Sequence, residues 1–342
     1  MPLLFLFWSV PTGFLLEGPG PSFDLQSGIT VQGAGTYGAR GELMLTSVSL
    51  REARLFNHLA HLFGDERYML KAREYLGEGL DVEGQNRVDE AVTLLSRNSA
   101  AVVGLRKMGL EVEVEELGVL VVAVAAGYPA EGKLAVGEVV VSVNGAAVRN
   151  AVELGKLIDA APHGEEVILG VRKMDEEELH AAWEEGGKTG ISALLGLSNL
   201  LGEERKVALA PVWEPRLGRW VIGASTRDYF DYESEVEVEW RLEAVKGPSA
   251  GLMLALSLVN ALTPEDITRG RKVAGTGEIF PDGSVGPVGG LPMKIRAAEA
   301  GGAEVFLYPA ANEDDLAGVE TSLRLIPVES LEDALLALEG LQ

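Results

Sequence analysis

The chain has 342 residues and a formal net charge of -23 at pH 7. This acidic surplus argues against nucleic acid as a partner, because contacts to phosphates need clustered Lys and Arg. No cysteine is present, which excludes disulfides, thiolate metal sites and a Cys nucleophile. With 47% hydrophobic residues, the chain can fill two or three packed domains.

The N-terminal stretch "MPLLFLFWSVPTGFLL" is apolar apart from Ser9 and Thr12. It is shorter than the roughly 20 residues of a full membrane span, and the first basic residue is Arg40. We favour a hydrophobic membrane anchor over residues 1–16, with a signal-like leader and a buried strand as alternatives. The following "EGPGPSFDL" is rich in Gly and Pro and predicts a linker or tight turn.

Residues 17–112 carry signals of regular structure. "GELMLTSVSL" favours a strand, residues 51–75 have helical spacing, and "DEAVTLLSRNSAAVVGLRKMGLEV" predicts an amphipathic helix that stops at Gly109. His58 and His61 lie three residues apart in "LFNHLAHLF". No third ligand accompanies them, so we expect a surface or core-edge helix and no metal site.

Residues 113–174 predict a small β-rich domain. An Asn144-Gly145 turn separates strand patterns, and a helix over "VELGKLIDA" precedes the strand "EEVILGVRK". The "GVLV" strand and "GYPAEGKLAVGEVVVSVNG" resemble a PDZ domain of bacterial proteases, a small β-barrel-like sheet with helices. PDZ domains bind peptide ends by adding a strand to a sheet edge. The resemblance implies that Leu117, Gly118 and Val119 bind the peptide carboxylate, and that Val119 to Val121 begin the edge strand.

Residues 175–206 form an acidic stretch that we expect to be helical. It contains "AWEEGGKT", which fits a permissive phosphate-loop pattern. A phosphate loop needs a preceding strand and a following helix, and an acidic helical pattern precedes this one, so ATP binding is disfavoured. Residues 207–242 alternate as strands do.

The segment "EAVKGPSAGLMLAL" places Ser249 where a Gly-Pro turn enters an apolar helix. Taken alone, Ser249 is well explained as a helix cap. As a nucleophile it needs a base, and no histidine follows His180 in the chain. A lysine serves as the base only in an apolar pocket that lowers its pKa. Lys294, in "GGLPMKIRAAEAGG", opens an amphipathic helix between Met293 and Ile295 and is such a candidate.

The segments "KGPSAG" and "AGTGEIFPDGSVGPVGGLPMKIRAAEAGGAEVFLYPAANEDDL" resemble the proteolytic domain of Lon proteases. The resemblance is strongest to PDZ-containing, membrane-anchored Lon-like serine proteases of bacteria. It implies Ser249 as the nucleophile, Lys294 as the general base and Thr276 as a residue that orients the lysine. We expect the backbone amides of Ser249 and Ala250 to form the oxyanion hole. Lys246 stands where many Lon enzymes have an acidic residue, and it is the second-choice base.

The resemblance implies an α+β fold. A Lon-type proteolytic domain, a ribosomal-protein-like α/β two-layer sandwich, would span residues 207–342. Residues 17–112 would belong to the same domain, so that the PDZ domain is inserted into it.

The function we expect is ATP-independent hydrolysis of peptide bonds by a Ser-Lys dyad, without metal or cofactor. The partners would be protein or peptide substrates, the membrane, and further copies in a homo-oligomer, with the protease domain on the extracytoplasmic side. A catalytically silent PDZ/Lon-like adaptor and an ATP-dependent protease are the alternatives.

Overall fold

The computed structural model of the chain describes residues 11–62, 68–71, 82–162, 164–175, 177–180, 188–189, 197–241 and 246–341. The chain divides into two compact units. The first unit comprises residues 1–75, 99–110 and 240–342, and the second comprises residues 76–98 and 111–239. The first unit is therefore built from segments that are distant in sequence.

The elements are mixed helices and strands. In chain order, those up to residue 124 are β1 (Pro11–Asp24), β2 (Ile29–Gln32), β3 (Glu42–Arg54), α1 (Leu55–Leu62), β4 (Tyr68–Lys71), α2 (Val82–Lys107) and β5 (Glu113–Val124). Those that follow up to residue 240 are β6 (Glu138–Val143), β7 (Ala146–Ala147), α3 (Ala151–Asp159), β8 (Val167–Met174), β9 (Lys188–Thr189), β10 (Leu201–Leu209), β11 (Val212–Glu214), β12 (Arg219–Val221), β13 (Ala224–Glu233) and β14 (Glu237–Trp240). The rest are α4 (Gly251–Leu262), β15 (Lys272–Gly275), β16 (Glu278–Ile279), β17 (Val285–Gly286), α5 (Leu291–Ala300), β18 (Val305–Pro309), β19 (Arg324–Val328) and α6 (Leu331–Glu339).

The first unit is organised around a six-stranded mixed sheet in the order β19-β18-β15-β3-β1-β4. Its first four strands are parallel, and β1 pairs antiparallel with β3 and with β4. Strands distant in sequence, such as β3 and β15, are neighbours in this sheet. The sheet therefore joins the N-terminal part of the chain to the part that carries Ser249 and Lys294.

β1 corrects two predictions about the N-terminus. Residues 11–16, expected to end an anchor, begin this strand, and "EGPGPSFDL" continues it up to Asp24 instead of forming a linker. The pairing with β3 shifts register between Pro19 and Ser22. Proline has no N–H to give to a sheet, and such a shift lets a strand pass two prolines. Residues 1–10 of the predicted anchor lie outside the described residues.

Two helices fill the core of this unit. α4 has all of its residues buried except Ala261, and all but Ser257 and Asn260 are apolar. α5 packs on β1 and β3 through a cluster that includes Leu291, Ile295 and Ala298. Each Å² of apolar surface removed from water stabilises the folded state by about 25 cal/mol, and this burial fixes the position of both helices. The candidate site lies at the N-terminal ends of these two helices.

The helix predicted over residues 51–75 is shorter in the structure. β3 extends to Arg54, α1 covers Leu55–Leu62, and residues 68–71 form β4. The apolar spacing in this stretch is compatible with the repeat of a helix and with the alternation of a strand, so the sequence alone does not separate the two.

The second unit contains a six-stranded antiparallel sheet, in which five strands follow the order β10-β8-β6-β5-β13 and β7 pairs with β6. The predicted Asn144-Gly145 turn joins β6 to β7, and both residues have positive φ. α3 covers one side of a core that includes Leu154, Ile158 and Ile222. β10 overlaps residue 207, the predicted start of the proteolytic domain, and β13 follows it, but both strands belong to this sheet. Alternation predicted these strands but not the sheet that they join.

The acidic segment 175–206 is helical only in part. Residues 177–180 are helical, and Leu197–Leu200 forms a 3₁₀ turn, but β10 begins at Leu201. Lys188 and Thr189 form β9, which pairs with β14. The remainder of 181–196 lies outside the described residues.

Candidate active site

Ser249 lies in a short 3₁₀ turn, Pro248–Ala250, that leads into α4. Gly247, just before it, has a φ of 101°, a conformation that L side chains rarely adopt. Pro248 then sets the φ of the first turn, as proline does at a helix start. Together these two residues turn the chain sharply, so that Ser249 stands at the entrance of a buried helix.

Lys294 lies one turn into α5, and its amide donates to the carbonyl of Gly290 at 3.0 Å. Its side chain is only 3% exposed, and the neighbouring Met293 and Ile295 are fully buried. A lysine is almost never buried to this degree without a partner. Its environment is therefore an apolar pocket that opens onto polar groups of the site.

The partners of Lys294 are two hydroxyl groups. Nζ lies 2.7 Å from Oγ of Ser249 and 3.0 Å from Oγ1 of Thr276. Both are hydrogen-bonding distances. The three residues that the motifs singled out, 45 positions apart at their extremes, therefore meet at one point of the first unit.

Thr276 is fully buried at the end of β15 and contacts both members of the pair. Its hydroxyl donates to the carbonyl oxygen of Ser249 at 3.0 Å. The next residue, Gly277, donates its amide to the same carbonyl at 2.9 Å and accepts from the amide of Leu252 at 3.0 Å. A Cβ on Gly277 would come within 3.0 Å of Leu252 Cβ, so glycine permits this close approach. These bonds hold the serine turn against the end of β15.

Burial lowers the pKa of Lys294 from 10.5 to about 8. Desolvation is the larger cause, since an ammonium ion loses hydration in an apolar pocket. The negative field of Glu17 opposes it and raises the pKa. A substantial fraction of Lys294 is therefore a neutral amine at mildly alkaline pH, and a neutral amine can accept a proton from a hydroxyl.

Glu17 was missed by the sequence reasoning. It lies on β1, in the stretch predicted as a linker. Burial raises its pKa, and the charge of Lys294 lowers it. The available signal was an acidic residue that directly follows the apolar "FLL", and a predicted linker gave no reason to place it near Lys294.

The other candidates near the serine are less constrained. Lys246 is exposed, whereas Lys294 is buried, so the two lysines differ in the property that a general base needs. Ala250 is buried, and Ser249 is partly buried, at the mouth of α4. Their amides lie in the turn that carries Oγ, which keeps them as the predicted oxyanion donors.

The predicted peptide-binding residues of the second unit lie in the interior of its sheet. Gly118 pairs with Tyr229 of β13, and Val119 pairs with Asp228 on one side and Val140 on the other. The prediction that Val119 begins an edge strand is therefore wrong. The strand that covers this edge lies more than 100 residues later, and local pattern gives no information on such a pairing.

The sheet has two edges, β10 and β13, and the edge beside β5 is the outer side of β13. Within the described part of the chain, β13 pairs with β5 alone. α3 contacts this strand at its first residue, where the amide of Ala151 donates to Asp228 Oδ1 of β13 at 2.7 Å. The other end of α3 contacts β12, where the amide of Trp220 donates to Asp159 Oδ1 at 2.9 Å. A strand edge flanked by a helix is the arrangement that strand addition requires.

The structure describes two other sequence features in part. Nε2 of His58 bonds Oγ1 of Thr12 at 2.9 Å, and the described residues contain no group of three or more His, Asp or Glu suited to a metal ion. The side chain of His61 lies outside the described residues. Lys188 and Thr189 form a strand, not the first turn of a helix as in a phosphate loop.

Comparison with known families matches two segments of the chain. Residues 227–339 match the C-terminal proteolytic domain of Lon protease (S16), and residues 120–173 match a PDZ domain. The chain contains a Lon-type proteolytic domain and a PDZ domain. The Lon match includes Ser249, Thr276 and Lys294, and the PDZ match includes α3 and β6.

Individual Lon proteases are similar to part of the chain. "Lon protease 1" of Myxococcus xanthus is 35% identical over 153 residues, which are 44% of this chain and 18% of that protein. The Lon protease of Azospirillum brasilense is 44% identical over 93 residues, 26% of this chain and 11% of that protein. The aligned part thus spans less than a fifth of these relatives' length.

Proposed function

We propose that the chain is a serine endopeptidase that hydrolyses peptide bonds through Ser249 and Lys294. The observation that carries this proposal is the 2.7 Å separation between Nζ and Oγ, with the lysine 3% exposed. A nucleophile within hydrogen-bonding reach of a desolvated base is the arrangement that covalent hydrolysis needs. The Lon-type proteolytic domain supports the same reaction class.

The reaction proceeds in two halves. Neutral Lys294 takes the proton from Ser249 Oγ as the oxygen attacks the carbonyl carbon of the substrate. The resulting ammonium protonates the leaving amine, and an acyl-enzyme ester remains. Water then gives a proton to Nζ and attacks the ester, and the acid product leaves as Oγ regains its proton. The amides of Ser249 and Ala250 would stabilise the oxyanion, a contribution of about 3 kcal/mol in known cases.

Thr276 supports this chemistry by orientation. Its Oγ1 donates to the Ser249 carbonyl, so its lone pairs are available to a proton on Nζ at 3.0 Å. It therefore holds the amine on the side of Ser249. The lysine loses fewer orientations when it reacts, because its position is fixed in advance.

We propose that hydrolysis does not require ATP. Lys188 and Thr189, the end of the phosphate-loop pattern, pair with β14 as a strand, and phosphate binding by such a loop uses a helix N-terminus. An ATP-dependent protease is the alternative. It predicts faster hydrolysis with Mg-ATP and protection of the chain from unfolding by nucleotide.

We propose that the PDZ unit binds peptide termini at the outer edge of β13, beside α3. A peptide would add as a strand along β13, beside the start of α3, where Ala151 bonds Asp228. Hydrogen exchange with a bound peptide should slow in β13 and α3. Protection at β10, the opposite edge of the sheet, would contradict this location, and equal affinity for C-terminally amidated peptide would contradict terminus recognition.

The deciding experiment for the enzyme is cleavage of casein, an unstructured protein substrate, with and without Mg-ATP. We expect cleavage that is unchanged by ATP and lost in Ser249→Ala, with Ser257→Ala, a buried serine of α4, as the matched control. Folded protein that neither cleaves casein nor reacts with a serine-directed phosphonate would favour the adaptor alternative.

We further propose that the chain is attached to a membrane through its N-terminal stretch, with the protease on the extracytoplasmic side, and that it assembles into a homo-oligomer. The support is the apolar composition of residues 1–10, which precede β1, and the resemblance stated above. Among the described residues, no helix is long and apolar enough to cross a bilayer. Flotation with liposomes and light scattering test the two proposals, and removal of residues 1–10 should abolish flotation.

A further inference from the structure

Glu17 is the acidic residue whose charge acts on Lys294, the candidate base. Its carboxylate lies over the start of α5: a Cβ built on Gly290 would meet Glu17 Oε1 at 2.6 Å and Val48 Cγ1 at 2.8 Å. Gly290 has a φ of +69° and precedes the first residue of α5. Because Lys294 bonds back to the carbonyl of Gly290, Glu17 stands one helical turn from the lysine.

Two features of this position favour a carboxylate there. The N-terminal end of a helix carries partial positive charge, which stabilises a nearby anion. Glu17 is held within a strand paired on both sides, opposite Leu50 of β3 and Tyr68 of β4, so its backbone is fixed relative to the sheet on which α5 packs. The carboxylate is therefore held by β1 and not by a mobile loop.

The other charged groups on elements that pack against α5 have different partners or face water. Glu42 and Lys272 pair with each other, and Glu313 accepts from the hydroxyl of Tyr308. The remaining charged side chains of β3 are exposed: Arg51, Glu52 and Arg54. Among the described residues, Glu17 is the charged group whose field reaches Lys294 appreciably.

We infer that Glu17 is a positioning residue that acts through Lys294: from its place at the start of α5, its charge stabilises the Lys294 ammonium each time the lysine takes a proton from Ser249. This inference rests on the proposed function. Ionised Glu17 offsets part of the cost of forming a positive charge in an apolar pocket, and the same field makes Lys294 a stronger base. Without it, Lys294 loses its proton at lower pH but is a weaker base for Ser249.

The test is the rate at which a serine-directed phosphonate labels Ser249 across pH 6 to 10, in the parent, Glu17→Gln and Glu52→Gln. Parent labelling should rise with the loss of the Lys294 proton. In Glu17→Gln the rise should occur about one pH unit lower, and the alkaline plateau should fall by about 3- to 10-fold. Glu52→Gln, an exposed change on the neighbouring strand β3, should match the parent.

Three results separate the possible failures. Superimposable profiles of the parent and Glu17→Gln would overturn the role of Glu17 and leave the dyad intact. A parent that is folded but not labelled, or labelled independently of pH, would overturn the proposed function itself. Glu17→Asp keeps the charge, so its rise should stay near that of the parent. A rise shifted as far as that of Glu17→Gln would show that shape and not charge matters.

A measurement on the unaltered chain covers the case in which Glu17→Gln does not fold. The ε-methylene resonance of Lys294, in protein labelled with ¹³C-lysine and assigned with Lys294→Arg, should show two inflections. The larger reports the lysine itself, and the smaller, in the acid range, reports ionisation of Glu17. A single inflection would overturn the inference.

Discussion

Replacing Lys294 with Met is expected to stabilise the protein at neutral pH while abolishing hydrolysis. In the unfolded chain the lysine keeps its proton up to about pH 10.5, but in the folded chain only up to about 8. At pH 7 the folded state must therefore bury a charge, at a cost of about 3 kcal/mol, since each pKa unit corresponds to ~1.4 kcal/mol. Met removes this cost and fills a similar volume.

The two hydrogen bonds of Nζ, to Ser249 and Thr276, are lost in the same change and offset about 1 kcal/mol. The net stabilisation at pH 7 is thus about 2 kcal/mol. The parent gains stability as pH rises through the window from 8 to 10.5, because the unfolded state binds more protons there. By pH 10 we expect the difference between Lys294→Met and the parent to be roughly zero.

The assay is urea unfolding of the parent and Lys294→Met at pH 7 and at pH 10. Lys272→Met is the control, because this lysine is 45% exposed and pairs with Glu42 at the surface. Its effect should stay within about 0.5 kcal/mol at both pH values. If Lys294→Met were no more stable than the parent at pH 7, or if its advantage were the same at pH 10, Lys294 would not carry a buried charge at neutral pH.

Three further changes separate parts of the account. In steady-state hydrolysis of a casein-derived peptide, Thr276→Val should lower kcat by about 10- to 100-fold at similar KM, and Thr276→Ser should retain most activity. Equal losses in both variants would mean that packing, and not the hydroxyl, matters. Lys246→Ala should keep activity within about twofold in the same assay, because an exposed lysine is not desolvated; loss of activity here with retention in Lys294→Met would transfer the base to Lys246. In thermal unfolding, Gly223→Ala should destabilise the PDZ unit by about 2–3 kcal/mol, because the new Cβ would meet Tyr128 Cβ at 2.0 Å. Gly218→Ala is also at positive φ but has open space around it, so it should cost about 1 kcal/mol, and equal costs in the two variants would mean that backbone strain alone decides.

The local parts of the fold were predictable from the sequence. The turn and helix at Ser249, the helix start at Lys294 and the Asn144-Gly145 turn each depend on neighbouring residues, whose types restrict the backbone strongly. The sequence also carried the two motifs that suggested the dyad. The number of residues between the two motifs did not predict how close they lie in space, because that distance depends on the packing of α4 and α5 against the sheet.

The non-local parts were not predictable in the same way. β13 pairs with β5 across more than 100 residues, so the strand predicted as the PDZ edge, at Val119, is an interior strand. The two prolines near Glu17 led to the prediction of a linker in place of β1, because the hydrophobic pattern does not show the register shift that accommodates them. Glu17 was missed for this reason, although it influences the pKa of Lys294.

The central claim is that Ser249 is a nucleophile activated by Lys294, and covalent labelling tests it most directly. The parent, Ser249→Ala and Lys294→Met would be incubated with a serine-directed phosphonate at pH 9, and adducts located by peptide mass spectrometry. We expect one adduct, on Ser249, in the parent alone. An adduct on another serine, or labelling of Ser249 at the parent rate in folded Lys294→Met, would contradict the claim.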